Sequence, residues 1–403
     1  MLIRNTLGAY RAPLDPTDGA MLGAAGAEEV GRFLAHRDRY ASTPLLSLPA
    51  LADELRVGAI YIKDEGQRLG LGSFKALGGA YAVVRLAVER AAERLGRPMD
   101  VAEWQNPLVT EAAANMTIAC ATDGNHGRSV AQGAQLIGAA CIIFVHAGVS
   151  EERTRAIAAL NAKVVRVEGN YDDSVAEASR QAAAKGWVMV SDTSWPGYER
   201  IPHLVMQGYT AMLREAVAVL PDAPTHVFIQ AGVGGVAAAV SAYFAQVYGG
   251  RRPFVTVVEP SRAACLFESA RAGHPVKLDQ EKSTVMAMLE CFEPSLVAWR
   301  ILSRVADAFM TVEDEQAIDA MNCLARPSGT DPAIVAGESG GVGLAGLIGV
   351  ADDPISRNAI ALSNSSRIFL INTEGATDPL LYKMLTGLTS VEALERRTHD
   401  ARC

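Results

Sequence analysis

The sequence predicts an α/β protein built on two open, mostly parallel sheets flanked by helices. Three observations carry that reading. Short β-branched runs alternate with longer helical patterns along most of the chain. The runs are nearly continuous apolar stretches, as in strands buried on both faces. The alternation falls into two groups, about 76–190 and 190 to the end, the second recruiting the N-terminal segment. On this division 76–190 is a small domain, and 1–75 with 191–403 a large one.

Taken in order, helical patterns follow Lys75 (ALGGAYAVVRLAVERAAERL), His126, Ser150 and Tyr171. Strands are predicted for CIIFVHAG from Cys141, KVVRVEG from Lys163, WVMVSDT from Trp187, THVFIQAG from Thr225, PFVTVVEP from Pro253 and SRIFLINTEG from Ser366. Residues 97–116 and 274–300 lack clean periodicity and read as loop-rich insertions. The uncharged stretch from Val227 to Gly250 is long enough to span a bilayer. Its five glycines, with Gln230, Ser241 and Gln246, fit a strand, a glycine turn and a helix better.

Composition narrows the function. The chain has 403 residues, 49% apolar and 20% charged, which is ample for a packed core. A net charge of −8 argues against a nucleic-acid partner. The six cysteines form no CxxC pair and the seven histidines no HxxxH, so no zinc site is expected. So few cysteines suit a reducing, cytoplasmic setting, and the N-terminus has no apolar signal-peptide core. The partner expected is a small molecule, not a membrane.

Several glycine motifs carry little by themselves. Gly232 to Ala237 fits GxGxxA after a strand, with Glu259 ending the next, which is a nicotinamide-cofactor pattern. Gly341 to Gly346 fits GxGxxG without a strong strand before it and reads as helix packing. Gly337 to Gly341 fits the GxSxG elbow, but the strand before it is short and contains Pro332.

Three segments carry more when taken together. In Gly72-Ser73-Phe74-Lys75-Ala76, a lysine opens a helix between glycines, in a field that would help lower its pKa. Alone, Lys75 reads equally as a solvated lysine. Thr122-Asp123-Gly124-Asn125-His126 joins a strand to a helix start, where backbone N–H groups form a carboxylate receptor. Alone, it reads equally as an Asx turn with an N-cap. The turn Gly232-Val233-Gly234-Gly235 offers N–H groups to a phosphate at the next helix start.

In this order the segments resemble the pyridoxal-phosphate enzymes of fold type II, the tryptophan-synthase-β and threonine-dehydratase-like family, over roughly residues 40–385. Three departures are similar to its diaminopropionate ammonia-lyase branch: Asp123 directly before Gly124-Asn125-His126, the segment Asp192-Thr193-Ser194-Trp195-x-Gly197-Tyr198, and the ending Asn372-Thr373-Glu374-Gly375-Ala376-Thr377-Asp378-Pro379.

The resemblance implies pyridoxal phosphate as cofactor, an active site between the domains and a homodimer. Lys75 would hold the cofactor as a Schiff base and, once displaced by substrate, act as a base. Asn125 would bond the cofactor's phenolic oxygen, Gly232, Val233, Gly234 and Gly235 its phosphate, and Thr373 its pyridine nitrogen, with Asn372 or Glu338 as other occupants. Thr122, Asp123, Gly124 and His126 would receive the substrate. Asp192 would fix a β-ammonium, and Asp123 would take the α-proton from the face opposite Lys75, so that both enantiomers react. Either aspartate also reads as a cap or turn residue. The implied reaction is elimination from 2,3-diaminopropionate to pyruvate and two ammonia.

The resemblance also places Cys291 in a flap at the site mouth, where it and Cys265 are either bridged or two free thiols. The competing readings are a serine/threonine dehydratase, a nicotinamide oxidoreductase built on Gly232 to Ala237, and a non-catalytic amino-acid sensor.

Overall fold

In a computed structural model, the strands in chain order are β1 (Leu2–Arg4), β2 (Leu45–Ser47), β3 (Ala59–Asp64), β4 (Thr117–Ala121), β5 (Ala140–His146), β6 (Lys163–Val167), β7 (Val188–Met189), β8 (His226–Gln230), β9 (Phe254–Pro260), β10 (Ala308–Val312) and β11 (Arg367–Asn372). The structure describes the chain apart from Asp123, Asn170, Glu281 and 401–403, and apart from the side chains of Tyr171, Asp172 and 396–400.

The strands pair into two sheets. The larger runs β1-β10-β9-β8-β11-β3-β2 and the smaller β6-β5-β4-β7. Every pairing in the smaller sheet is parallel. The larger is parallel except at its edges, where β1 lies antiparallel to β10 and β2 to β3. Each edge strand has three residues, too short to template pairing with another chain. β8 is buried along its whole length and β9 and β11 along nearly all of theirs, as the continuous apolar runs predict, whereas the Lys163 run gives β6, an edge strand of the smaller sheet with no fully buried residue.

The expected helices are present as Lys75–Leu95, Asn125–Ile137, Glu151–Ala158 and Tyr171–Lys185. Three expectations need correction. The Trp187 run gives only the two-residue β7, because the chain leaves the sheet at Val190. β1, β2, β3 and β10 lie outside the predicted strand runs.

Residues 97–116 are not a loop-rich insertion. They hold a 3-10 turn, Val101–Gln105, closed by an Asp100/Glu103 capping box, and a helix, Pro107–Ala113. That helix has Asn106 as cap and Pro107 in its first turn. The caps were visible in the sequence, but the elements are too short to show a period.

Gly343 and Gly346 do serve packing. A Cβ at Gly343 would lie 2.7 Å from the Phe228 carbonyl oxygen, and one at Gly346 2.7 Å from Val258. Ser339 of the GxSxG segment is buried, and its hydroxyl accepts from Met288 N–H. Among the described residues no helix is long and apolar enough to cross a membrane.

Candidate active site

Parallel strands all present their C-terminal ends on one side, and ligands bind there. Here both sheets bring such ends to one cleft. β3 leads through residues 65–74 to Lys75, β4 to the Thr122–Asn125 loop, β7 to Asp192, β8 to the glycine turn, and β11 to Thr373.

The lysine loop is fixed from two sides. Phe74 N–H donates to the Thr373 carbonyl, and Gly375 N–H to the Gly72 carbonyl, both at 3.0 Å. Beneath it, Arg68 is buried with Glu65 and Glu215 at 2.6 Å each. Phe74 meets Tyr209 edge-on, with centroids 4.7 Å apart.

Asp192 is held as firmly. Tyr198 hydroxyl donates to the Met189 carbonyl at 2.8 Å and accepts from Ser191 N–H at 3.0 Å. Trp195 stacks on Tyr198 at 4.2 Å, and Ser194 Oγ lies 2.7 Å from Ser295 Oγ.

Lys75 Nζ and Asp192 Oδ2 form a short ion pair. Burial works against charge on Lys75, but Asp192 first, and then Tyr209, outweigh it and hold the amine above its ordinary value. The expected lowering by the helix end is therefore corrected: a carboxylate in contact dominates a partial charge. Burial likewise opposes the Asp192 charge, and Lys75 and His126 outweigh it, so that carboxyl lies below its usual range. His126 is buried and pushed down by that burial. Its Nε2 meets the Val190 carbonyl at 3.1 Å, and its Nδ1 has no partner.

Asp123 lies outside the described residues. Its neighbour Thr122 turns its hydroxyl inward, accepting from Gly124 and Gly127 N–H at 3.1 Å each. Asn125 Nδ2 donates to Glu374 Oε2 at 2.7 Å. Thr373 Oγ1 accepts from Gln230 Nε2 at 2.9 Å, leaving its own hydrogen free. Asn372 is engaged elsewhere, donating to Asp64 and to the Val335 carbonyl. Glu338 sits 3.9 Å from Arg153 and is pushed up by burial.

Gly234 has φ +99°, a conformation that favours glycine. The helix Gly235–Tyr248 that follows has no side-chain cap, so its first N–H groups are available to an anion. A Cβ at Gly235 would meet nothing closer than Met206 at 3.7 Å and the Asp192 carbonyl at 3.8 Å. The turn thus has room above it and lies beside the Lys75–Asp192 pair. Glu259 accepts from Leu266 and Phe267 N–H at 2.8 and 2.7 Å. It caps a helix rather than waiting for a ribose, which removes the nicotinamide reading's second half.

Cys265 and Cys291 are not joined by a disulfide, and both sulfurs lie close to Gly232. A cavity of about 320 Å³ lies beside the lysine and asparagine loops, lined by Gly72, Asn125, Arg128, Arg153 and Thr377. The sequence reading missed Gln230, Glu374 and Arg153. Glu374 lay inside a quoted segment, but nothing in a lone glutamate says that it will be buried.

The model of the family described as pyridoxal-phosphate dependent enzyme matches residues 37–374. The chain belongs to that family. Its cofactor is pyridoxal phosphate, and its architecture is fold type II. The site fits the cofactor: an uncapped helix start with open space for phosphate, a lysine in the cleft, and a hydroxyl with a free hydrogen.

Two relatives are diaminopropionate ammonia-lyases. That of Escherichia coli (strain K12) is 38% identical over 350 residues, 85% of this chain and 87% of the relative. That of Salmonella typhimurium is 37% identical over 365 residues, 88% and 90%. The Escherichia coli enzyme's crystal structure with an aminoacrylate-PLP azomethine reaction intermediate matches with TM-score 0.85 and 35% identity, covering 96% of each chain. A Solanum lycopersicum threonine deaminase shares the fold at TM-score 0.71 and 20% identity, covering 96% of this chain and 93% of that one.

Proposed function

We propose that the chain eliminates ammonia from 2,3-diaminopropionate of either hand, giving pyruvate and two ammonia with uptake of one water. Supporting this reading above all is the Lys75–Asp192 pair: a carboxylate already bound to a primary ammonium beside the glycine turn. A dehydratase expelling hydroxide has no use for an anion there, whereas a β-ammonium has.

Pyridoxal phosphate supplies an electron sink for the α-carbon when bound. The rest is the chain's work. Lys75 Nζ carries the covalent link and, when freed, takes the α-proton of the L-isomer. Asp123 takes that of the D-isomer. Asp192 holds the β-nitrogen as an ammonium, so that it departs as neutral ammonia. The N–H groups of the loop Thr122 to His126 hold the substrate carboxylate, and the inward Thr122 hydroxyl keeps that loop in shape. His126, pushed down by burial, keeps its Nε2 against the Val190 carbonyl. Gly232 to Gly235 hold the phosphate, Asn125 the phenolic oxygen, and Thr373 the pyridine nitrogen. The division into 1–75 with 191–403 and 76–190 belongs to the same proposal, as do a homodimer and a cytoplasmic setting.

The test is a steady-state screen of D- and L-diaminopropionate, D- and L-serine and L-threonine, reading pyruvate or 2-oxobutyrate, and ammonia. The expected result is two ammonia per pyruvate from both diaminopropionates, at kcat/KM well above that for serine. Preference for L-serine or L-threonine would replace the reading by a dehydratase.

A further inference from the structure

Glu374 joins the two loops that the cofactor has to bridge. It follows Thr373 beyond β11, and only 3% of it is exposed. Its backbone belongs to the lysine side: it forms an isolated antiparallel bridge with Ser73, and its neighbours Thr373 and Gly375 bond Phe74 and Gly72. Its side chain belongs to the asparagine side, through the 2.7 Å bond from Asn125 Nδ2. Among the described residues Asn125 has no other side-chain hydrogen bond, so the only acceptor fixing its amide is Glu374. The Glu374 side chain itself lies against Gly337, where a Cβ would come within 3.3 Å of its Oε1.

We propose that Glu374 is a positioning residue: it sets the place and the facing of the Asn125 amide relative to Lys75, and so the hydrogen bond given to the cofactor's phenolic oxygen. This rests on the reading of Asn125 above. An amide has two N–H groups. With one committed to Glu374, the other is the donor that an ionised phenol needs. Without that acceptor the amide is free to turn its carbonyl oxygen toward the phenolate.

The protonation of Glu374 suits the task. Burial, and then Glu338, push it up to about 8, with Asn125 and Arg153 pulling the other way. The raised carboxyl keeps an oxygen that accepts from Asn125 and sets less negative charge against the phenolate than an ordinary glutamate would. Glutamine offers the same acceptor without a charge, so it is the conservative variant.

Holoenzyme and reconstituted apoprotein are compared for wild type, Glu374→Gln, Glu374→Met, Glu374→Ala, Asn125→Ala and Asn125→Ala with Glu374→Met. Glu374→Met keeps the bulk and removes the acceptor; Glu374→Ala repeats the loss if Met is not accommodated. Two readouts are taken: the dissociation constant for pyridoxal phosphate, and the pH midpoint of the yellow absorbance.

Glu374→Met and Asn125→Ala should each weaken cofactor binding about tenfold and move the midpoint in the same direction. The double variant should be no worse than either alone. Glu374→Gln should stay within about threefold of wild type with its midpoint unmoved. Effects that add in the double variant would overturn the proposal, as would a wild-type spectrum in Glu374→Met beside an altered one in Asn125→Ala. If Asn125→Ala changes neither readout, the reading of Asn125 itself falls, and this one with it.

Discussion

Of the chain's seven lysines, five are exposed; Lys63 and Lys75 are the two drawn inward, at either side of one loop. Lys63 is fully buried, and its Nζ donates to Glu215 and to the Thr43 carbonyl at 2.6 Å each. Around it Arg68, Glu65 and Glu215 complete two positive and two negative charges, with Thr43 and Tyr40 adding hydrogen bonds.

Lys75 is less buried and has one anionic partner. Around its cleft Ser73 Oγ, His126 Nδ1, Glu338 Oε1 and Glu374 Oε1 have no hydrogen-bond partner. Burial pushes Lys63 down despite its glutamates, while Asp192 raises Lys75, so the direction of a lysine's shift does not say which one works. Pairing does: every group of the Lys63 network has a partner and the network specifies structure, whereas several polar groups around Lys75 are left unpaired.

The comparison breaks most plainly at its two lysines. Lys75→Ala should abolish turnover and the yellow Schiff-base absorbance yet retain a cooperative melt. Lys63→Met should cost about 3–5 kcal/mol of stability, because it leaves buried carboxylates unpaired. Whatever protein remains folded should still bind cofactor. Thermal melts and spectra of both variants check this pair.

Within the cleft, Asp123→Asn should lose about 10²–10⁴-fold in kcat/KM on the D-isomer and much less on the L-isomer. Equal fractional losses would make Asp123 a shared binding group.

The glycine turn gives a smaller effect. Gly235→Val has room within the fold and should weaken cofactor affinity while leaving the apoprotein's melt nearly unchanged. Gly234→Val should lower both, since φ +99° strains any larger residue. Cofactor titration and melting separate the two.

The smallest effect is on pH dependence. Glu374 is raised to about 8, so the folded apoprotein keeps a proton that the unfolded chain releases. Stability should therefore fall as pH rises from the ordinary carboxyl range through about 8. Glu374→Gln should make that fall shallower, measured as melting temperature, with Glu259, also pushed up to about 8 by burial, keeping its own share.

The sequence showed the parts of this site better than their partnerships. The glycine turn was legible because it follows a strand run, Lys75 because it opens a helix pattern between glycines, and Asp192 because it ends a strand run in a segment that resembles the family's. β3 and β10 were missed, although their strand residues are as apolar as those assigned. Edge strands β1 and β2 have only three residues each, too few for any periodicity. Glu374 and Gln230 were invisible because their roles arise from burial beside loops distant in sequence. The Lys75 shift was misjudged for the same reason: Asp192 becomes its neighbour only when the two sheets face one cleft.

The most direct test is to reduce the holoenzyme with borohydride, digest it, and map the pyridoxyl-modified lysine. The label is expected on Lys75, in the peptide containing Gly72-Ser73-Phe74-Lys75, at one per chain and with loss of activity. Label on Lys63 or on an exposed lysine, with Lys75 unmodified, would contradict it.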